Sequence, residues 1–149
     1  MSNDLYRLVY YSRNAIIGDA ATLAAAITSI LTWSQVNNQR FGITGALMFN
    51  SGCFAQVLEG SQSAVEDMFE RIQQDDRHGD VSLLAFDPAP TRAFENWSMG
   101  FVGASIEDAA RYGVLVQASG FDPARMTGEA LFATLHGLAI EEEYSNNAV

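Results

Sequence analysis

The sequence predicts an α+β fold: a ferredoxin-like βαββαββ sheet with two helices on one face, plus a C-terminal helical extension. Three observations predict it. Five segments read as strands, bounded by turn residues. Two intervening segments carry apolar residues at helical spacing. A short Gly-containing turn, Ser51-Gly52, joins the two middle strands as a hairpin.

The first strand runs from Leu5 to Ser12, with Leu8 and Tyr10 on one face and Arg7, Val9 and Tyr11 on the other. Gly18-Asp19 opens the first helix, with Asp19 as its N-cap. Its apolar stripe is Leu23, Ile27, Ile30 and Leu31, and it runs to about Asn38. Ile43 to Asn50 and Cys53 to Glu59 form the hairpin. Ser61 caps the second helix, whose stripe is Val65, Met68, Phe69 and Ile72. Val81 to Phe86 is the next strand, ended by Pro88 and Pro90. Trp97 to Val102 completes the sheet. Beyond Gly103, Ile106 to Val116 and Met126 to Ile140 read as two helices around Gly120-Phe121-Asp122-Pro123. Leu131, Phe132, Leu135 and Leu138 need a surface to cover them, either the free sheet face or a partner chain. Glu141 to Val149 reads as a frayed end.

Composition narrows the function. The chain has 149 residues, 48% of them hydrophobic, enough for one domain with a real core. Its net charge is −10, and all eight bases are arginines. Such acidity offers no broad footprint for nucleic acid or anionic lipid. The absence of lysine excludes Schiff-base and P-loop lysine chemistry. No apolar run is long enough to span a membrane, and the N-terminus does not read as a secretory signal. The lone Cys53 excludes an internal disulfide framework and a multi-cysteine zinc site. These features point to a cytoplasmic protein.

Both helices carry polar groups where their apolar stripes end. Asn38 returns almost to the face of Ile27, and Asn37 to that of Ile30. Asp75 continues the face of Met68, and Arg77 and His78 follow. Each alone reads as a cap or a surface pair. Their occurrence on both helices points to a polar-lined slot between them. Gln56 shares a face with Phe54 and Leu58, so it points inward toward Tyr10. A buried amide and a buried phenol are normally hydrogen-bonded, which a satisfied core pair would also explain. With Ile30, Ile43 and Ile72 as aliphatic walls, the slot suits a flat heterocycle with a carbonyl and N–H edge.

These residues resemble the BLUF domain, a blue-light sensor that uses FAD. The pieces are Tyr6-Arg7-Leu8-Val9-Tyr10, Asn37-Asn38 with Gly42-Ile43-Thr44-Gly45, and Phe54-Ala55-Gln56-Val57-Leu58-Glu59-Gly60. Arg71-Ile72, Asp75-Asp76-Arg77-His78 and Trp97-Ser98-Met99 follow in order. The resemblance implies roles. Tyr10 matches the donor of an electron and a proton to the excited flavin, and Gln56 the glutamine between them. Asn38 matches the asparagine on the flavin pyrimidine edge, with Asn37 as a secondary contact. Asp75, Arg77 and His78, with Arg71 less closely, match polar positions around the ring and its tail. Ile30, Ile43 and Ile72 sandwich the ring. Trp97 and Met99 match two residues of signal output, and their shared parity lets both reach the inner face.

The implied cofactor is FAD, with FMN or riboflavin as substitutes. Residues 1–103 are then a flavin-binding sensor, and residues 104–149 an extension for capping, output or oligomerisation. In that extension acids outnumber bases seven to two, and nothing resembles a catalytic output domain. Output therefore runs through a homodimer or higher homo-oligomer and a separate protein partner, without nucleic acid or membrane. Three rivals are weaker. Cys53 lacks the Asn-Cys-Arg-Phe run of flavin-adduct LOV domains. An acylphosphatase needs an anion cradle, which Asn14-Ala15-Ile16-Ile17-Gly18 near Arg13 does not supply. A flavin-dependent redox enzyme needs an open substrate face and a hydride-donor site that the sequence does not display. His136 with Glu141-Glu142-Glu143 resembles metal ligands only on composition and reads as a solvated helix end.

Overall fold

The computed structural model describes residues 4–16, 18–50, 52–75, 78–95, 97–102 and 126–147, with backbone only at Asn50, His78 and 141–147. The elements are β1 (Leu5–Asn14), α1 (Ala20–Phe41), β2 (Thr44–Asn50), β3 (Cys53–Ser61), α2 (Gln62–Gln73), β4 (His78–Pro88), β5 (Gly100–Phe101) and α3 (Gly128–Asn147). The expected helix over Ile106 to Val116 lies outside the described residues.

Five strands form one sheet in the order β4-β1-β3-β2-β5. β1 pairs antiparallel with both β3 and β4, and β2 pairs antiparallel with β3 and parallel with β5. This is the expected ferredoxin-like layout, with its fifth strand shorter than expected. The expected strand from Trp97 to Val102 shrinks to a ladder of Ala46 with Gly100 and Leu47 with Phe101. Trp97 N–H instead donates to Phe94 O at 2.9 Å, which closes a turn just before the ladder.

Strand alternation divides the core in two. Leu8, Tyr10, Leu47, Phe54 and Leu58 face α1 and α2 and pack on Ile27, Ile30, Val65, Met68 and Ile72. Val9, Ala46, Ala55 and Val57 face the other way and pack on Leu131, Leu135 and Ala139 of α3. The apolar stripe of α3 is thus covered by the sheet of its own chain.

Local sequence explains the helix boundaries. Asp19 accepts a hydrogen bond from Thr22 N–H at 2.9 Å, as an N-cap should. Gly42 stops α1 in the left-handed region, at φ 69° and ψ 31°, which glycine adopts without steric cost. The carboxyl of Asp19 is held below its ordinary range, chiefly by the Thr22 backbone N–H. A lowered folded value means the cap stabilises above about pH 4 and loses its effect as pH falls through that value. Asp19→Ala is expected to lower the melting temperature at pH 7. The gap from the parent protein should close in acid, and equal gaps at both pH values would contradict the role.

Candidate functional site

The site is built where three buried stripes meet. α1 buries Leu23, Ile27, Ile30, Ser34 and Asn38, so its helical stripe ends in a hydroxyl and a carboxamide. Tyr10 and Gln56 stand directly opposite each other in the β1–β3 register. Met99, just before β5, is 2% exposed and belongs to the same core cluster.

Tyr10 O–H donates to Gln56 Oε1, and Gln56 Nε2–H donates to Met99 Sδ at 3.3 Å. Both side chains are buried. Tyr10 also packs against Phe69, with ring centroids 5.5 Å apart. Burial raises the Tyr10 pKa far above the ordinary phenol value, and the negative charge of Asp75 raises it further. Tyr10 is therefore a neutral phenol across the physiological range. A thioether is a weak acceptor, so the Gln56 N–H can exchange Met99 for a better one.

Asn38 is fully buried. Its Nδ2–H donates to Ser98 O at 2.7 Å, while its Oδ1 finds no hydrogen-bond partner among the described residues. A buried acceptor left unpaired costs about 1–3 kcal/mol. A flat ring presenting an N–H beside a carbonyl answers both needs: its N–H for Asn38 Oδ1, its carbonyl for the Gln56 amide. Ile30, Ile43 and Ile72 are buried in the same cluster. The donor set fits the imide edge of a flavin.

Other expected residues fall differently. Asn37 is half-buried, but its Nδ2–H donates at 2.8 Å to Trp33 O of its own helix. That hydrogen bond ties the Asn37 amide N–H to the backbone one turn back in its own helix. Asp75 lies beyond the end of α2, where its N–H donates to Ile72 O at 3.1 Å. It reaches the site through its charge on Tyr10 rather than as part of the helical stripe. Arg71 is exposed and sits over the Phe41 ring, 5.5 Å from its centroid. Beside it, Phe41, Ala64 and Met68 help line a cavity of about 40 Å³ between the end of α1 and one flank of α2. Arg77 lies outside the described residues, and the side chain of His78 is likewise not described.

Trp97 and Met99 do not share the inner face. Met99 joins the helix-side core, whereas Trp97 packs on the α3-side cluster. Strand parity governs only residues held in a ladder, and the ladder begins at Gly100. The Trp97 ring lies over Gly100, where a Cβ would collide with it. The backbone around this pair is tied from several sides. Gly45 N–H donates to Trp97 O at 3.1 Å, and Gln35 Nε2–H donates to Met99 O at 2.9 Å. Gln35 was not among the expected site residues, since nothing in its own helical position singles it out.

The sequence reading also missed Glu59, a fully buried carboxylate on the α3 side of the sheet. It accepts from Arg7 Nε at 3.2 Å, Arg7 Nη2 at 3.1 Å and Thr44 Oγ1 at 3.1 Å. It also accepts the backbone N–H groups of Ala93 at 2.8 Å and Phe94 at 3.0 Å. A signal existed. Once Tyr10 is paired with Gln56 in antiparallel strands, Arg7 must pair with Glu59.

The rival site residues stand apart. Cys53 opens β3 at the hairpin end, on the face opposite Phe54 and Gln56. Arg13 is on β1, exposed, and 3.8 Å from Asp80. His136 stacks on Phe132, with ring centroids 5.4 Å apart.

A ferredoxin-like sheet with Tyr10 and Gln56 buried on its helix side, beside Asn38 of α1 and Met99 before β5, suits a flavin-binding sensor domain. The comparisons agree. Residues 5–100 match the BLUF family, described as sensors of blue-light using FAD, and the chain belongs to that family. The dark-state structure of the BLUF protein BlrB is 30% identical with a TM-score of 0.73, over 95% of this chain and 99% of BlrB. The blue light- and temperature-regulated antirepressor BluF of Escherichia coli (strain K12) is 35% identical over 68 residues, covering 46% of this chain and 17% of BluF. The photoactivated adenylate cyclase subunit beta of Euglena longa is 32% identical over 74 residues, 49% of this chain but 9% of that subunit. The chain therefore spans a small part of the curated relatives it matches. No described helix is long and apolar enough to cross a membrane.

Proposed function

We propose that this chain senses blue light through bound FAD, with Tyr10 and Gln56 as its photoactive pair. The observation that carries the reading is the buried chain from Tyr10 O–H to Gln56 Oε1 and from Gln56 Nε2 to Met99 Sδ, beside the unpaired Asn38 Oδ1. When bound, a flavin supplies a light-excited acceptor for one electron and one proton. Tyr10 gives both and regains both, so no net oxidation remains. Gln56 is left with its amide rearranged, by rotation or tautomerisation. An amide donates at one end and accepts at the other, so the rearrangement reverses what Gln56 offers each neighbour.

Asn38 holds the ring edge, and Ile30, Ile43 and Ile72 flank the ring. Asp75 sets the charge near Tyr10. Arg71, Arg77 and His78 serve the ring surround and its tail, and Asn37 has at most an outer contact. Trp97 and Met99 carry the change out of the site. Residues 1–103 act as the sensor and residues 104–149 as its cap and output. The protein works in the cytoplasm as a homo-oligomer and acts on a separate protein partner. Its own role is sensing, not catalysis.

The test is the absorption spectrum of the purified protein before and after blue light. A bound flavin with a reversible red shift, abolished in Gln56→Ala, is the expected result. A protein that takes up no FAD contradicts the reading. So does one that binds flavin without a shift and turns over NADH.

A further inference from the structure

One altered hydrogen bond is worth about 0.5–1.5 kcal/mol, whereas driving a switch from 1:99 to 99:1 takes about 5.5 kcal/mol. Further contacts must therefore move with Gln56 if the response is to be complete. The α3 side of the sheet holds a network that the photochemistry does not use. Its centre is Arg7, whose guanidinium serves three segments at once. Its edge donates to Glu59 of β3 and, through Nη2, to Thr91 O at 3.0 Å. Its Cζ lies over the Phe132 ring of α3, 4.1 Å from the centroid.

Thr91 begins the segment that leads to Trp97. Glu59 holds the same segment through the amides of Ala93 and Phe94. Phe94 stands 6.5 Å from the Trp97 ring and meets Phe132 edge-on at 6.2 Å. A shift of Trp97 therefore presses on a segment clamped by the Arg7–Glu59 pair, and the Arg7 plate rests on α3. A planar guanidinium can bond along its edge and stack on its face together, which an ammonium cannot. We propose that Arg7 is the positioning residue that couples the Thr91–Trp97 segment to α3. This rests on the light-sensor reading above.

The experiment compares hydrogen–deuterium exchange across α3 in dark and lit samples of the full flavin-loaded chain, with the red shift recorded on the same samples. Arg7→Lys keeps the charge beside Glu59 but loses the fork and the flat face. It is expected to retain the full red shift while the light-minus-dark exchange difference in α3 falls about fivefold or more. Phe132→Leu leaves the hydrogen bonds of Arg7 to Glu59 and Thr91 in place and removes the ring that Arg7 stacks on, together with that ring's contacts to Phe94 and His136. It should show the same loss, which covers the case of a poorly folded Arg7 variant. A parental exchange difference in either folded variant overturns the proposal. So does a parent protein that shifts its spectrum with no change in α3. A parent protein with no red shift rejects the light-sensor reading itself, and the coupling role with it.

Discussion

Tyr10→Phe is expected to bind flavin and to lose the stable red shift on illumination. The substitution keeps the ring that packs on Phe69 within the core, so the shape of the site survives. What disappears is the hydroxyl that donates to Gln56 Oε1. Burial and the charge of Asp75 keep that hydroxyl protonated, so its proton leaves only when an electron leaves with it. Phenylalanine supplies neither at an accessible potential. The folded variant also loses the donor to a buried amide oxygen, at a cost of about 1–3 kcal/mol. The dark spectrum should resemble that of the parent protein. The lit spectrum, taken under the same irradiation, should coincide with the dark one. A parental red shift in Tyr10→Phe would remove Tyr10 from the photochemistry.

Glu59→Ala is expected to lower the unfolding free energy by about 3–5 kcal/mol, the range for breaking one side of a buried ion pair. The carboxylate is fully buried, and the Arg7 side chain is 20% exposed. Its removal leaves Arg7 without its counter-charge and the amides of Ala93 and Phe94 without their acceptor. Arg92 stays bonded to Gly42 O at 2.8 Å and to Glu59 O at 3.2 Å, so the segment keeps a second tether. Urea unfolding at matched protein and flavin concentrations measures the loss. Glu59→Gln keeps the side-chain volume and several acceptor contacts, so its loss should be smaller. A Glu59→Ala variant within about 0.5 kcal/mol of the parent, on the scale of surface changes, would show that the network contributes little.

Much of the site was legible because it obeys short-period rules. Tyr10 and Gln56 follow from strand alternation on two strands joined in one sheet. Asn38 follows from extending the Leu23–Ile27–Ile30 stripe by helical steps. Ser34 lies on that same stripe, but a serine there reads as a surface residue until its burial is seen. For Asn37 periodicity gives a direction and not a partner: its amide N–H donates to a carbonyl in its own helix. Trp97 and Met99 misled because alternation was extended past the end of a ladder.

The resemblance and the periodicities by themselves determined the family, the sheet-and-helix layout and the juxtaposition of Tyr10 with Gln56. Each depends on residue type at short spacing, which the chain carries in one dimension. Tertiary structure alone decided three things. It placed Leu131 and Leu135 of α3 on the sheet of the same chain, where the sequence allowed a partner surface equally well. It put Met99 among the helices and Trp97 on the opposite side. It assembled Glu59 with Arg7, Thr44 and the amides of Ala93 and Phe94, from four separate stretches of chain. Burying a carboxylate requires several donors at once, and only the closed fold brings donors so far apart in sequence to one point.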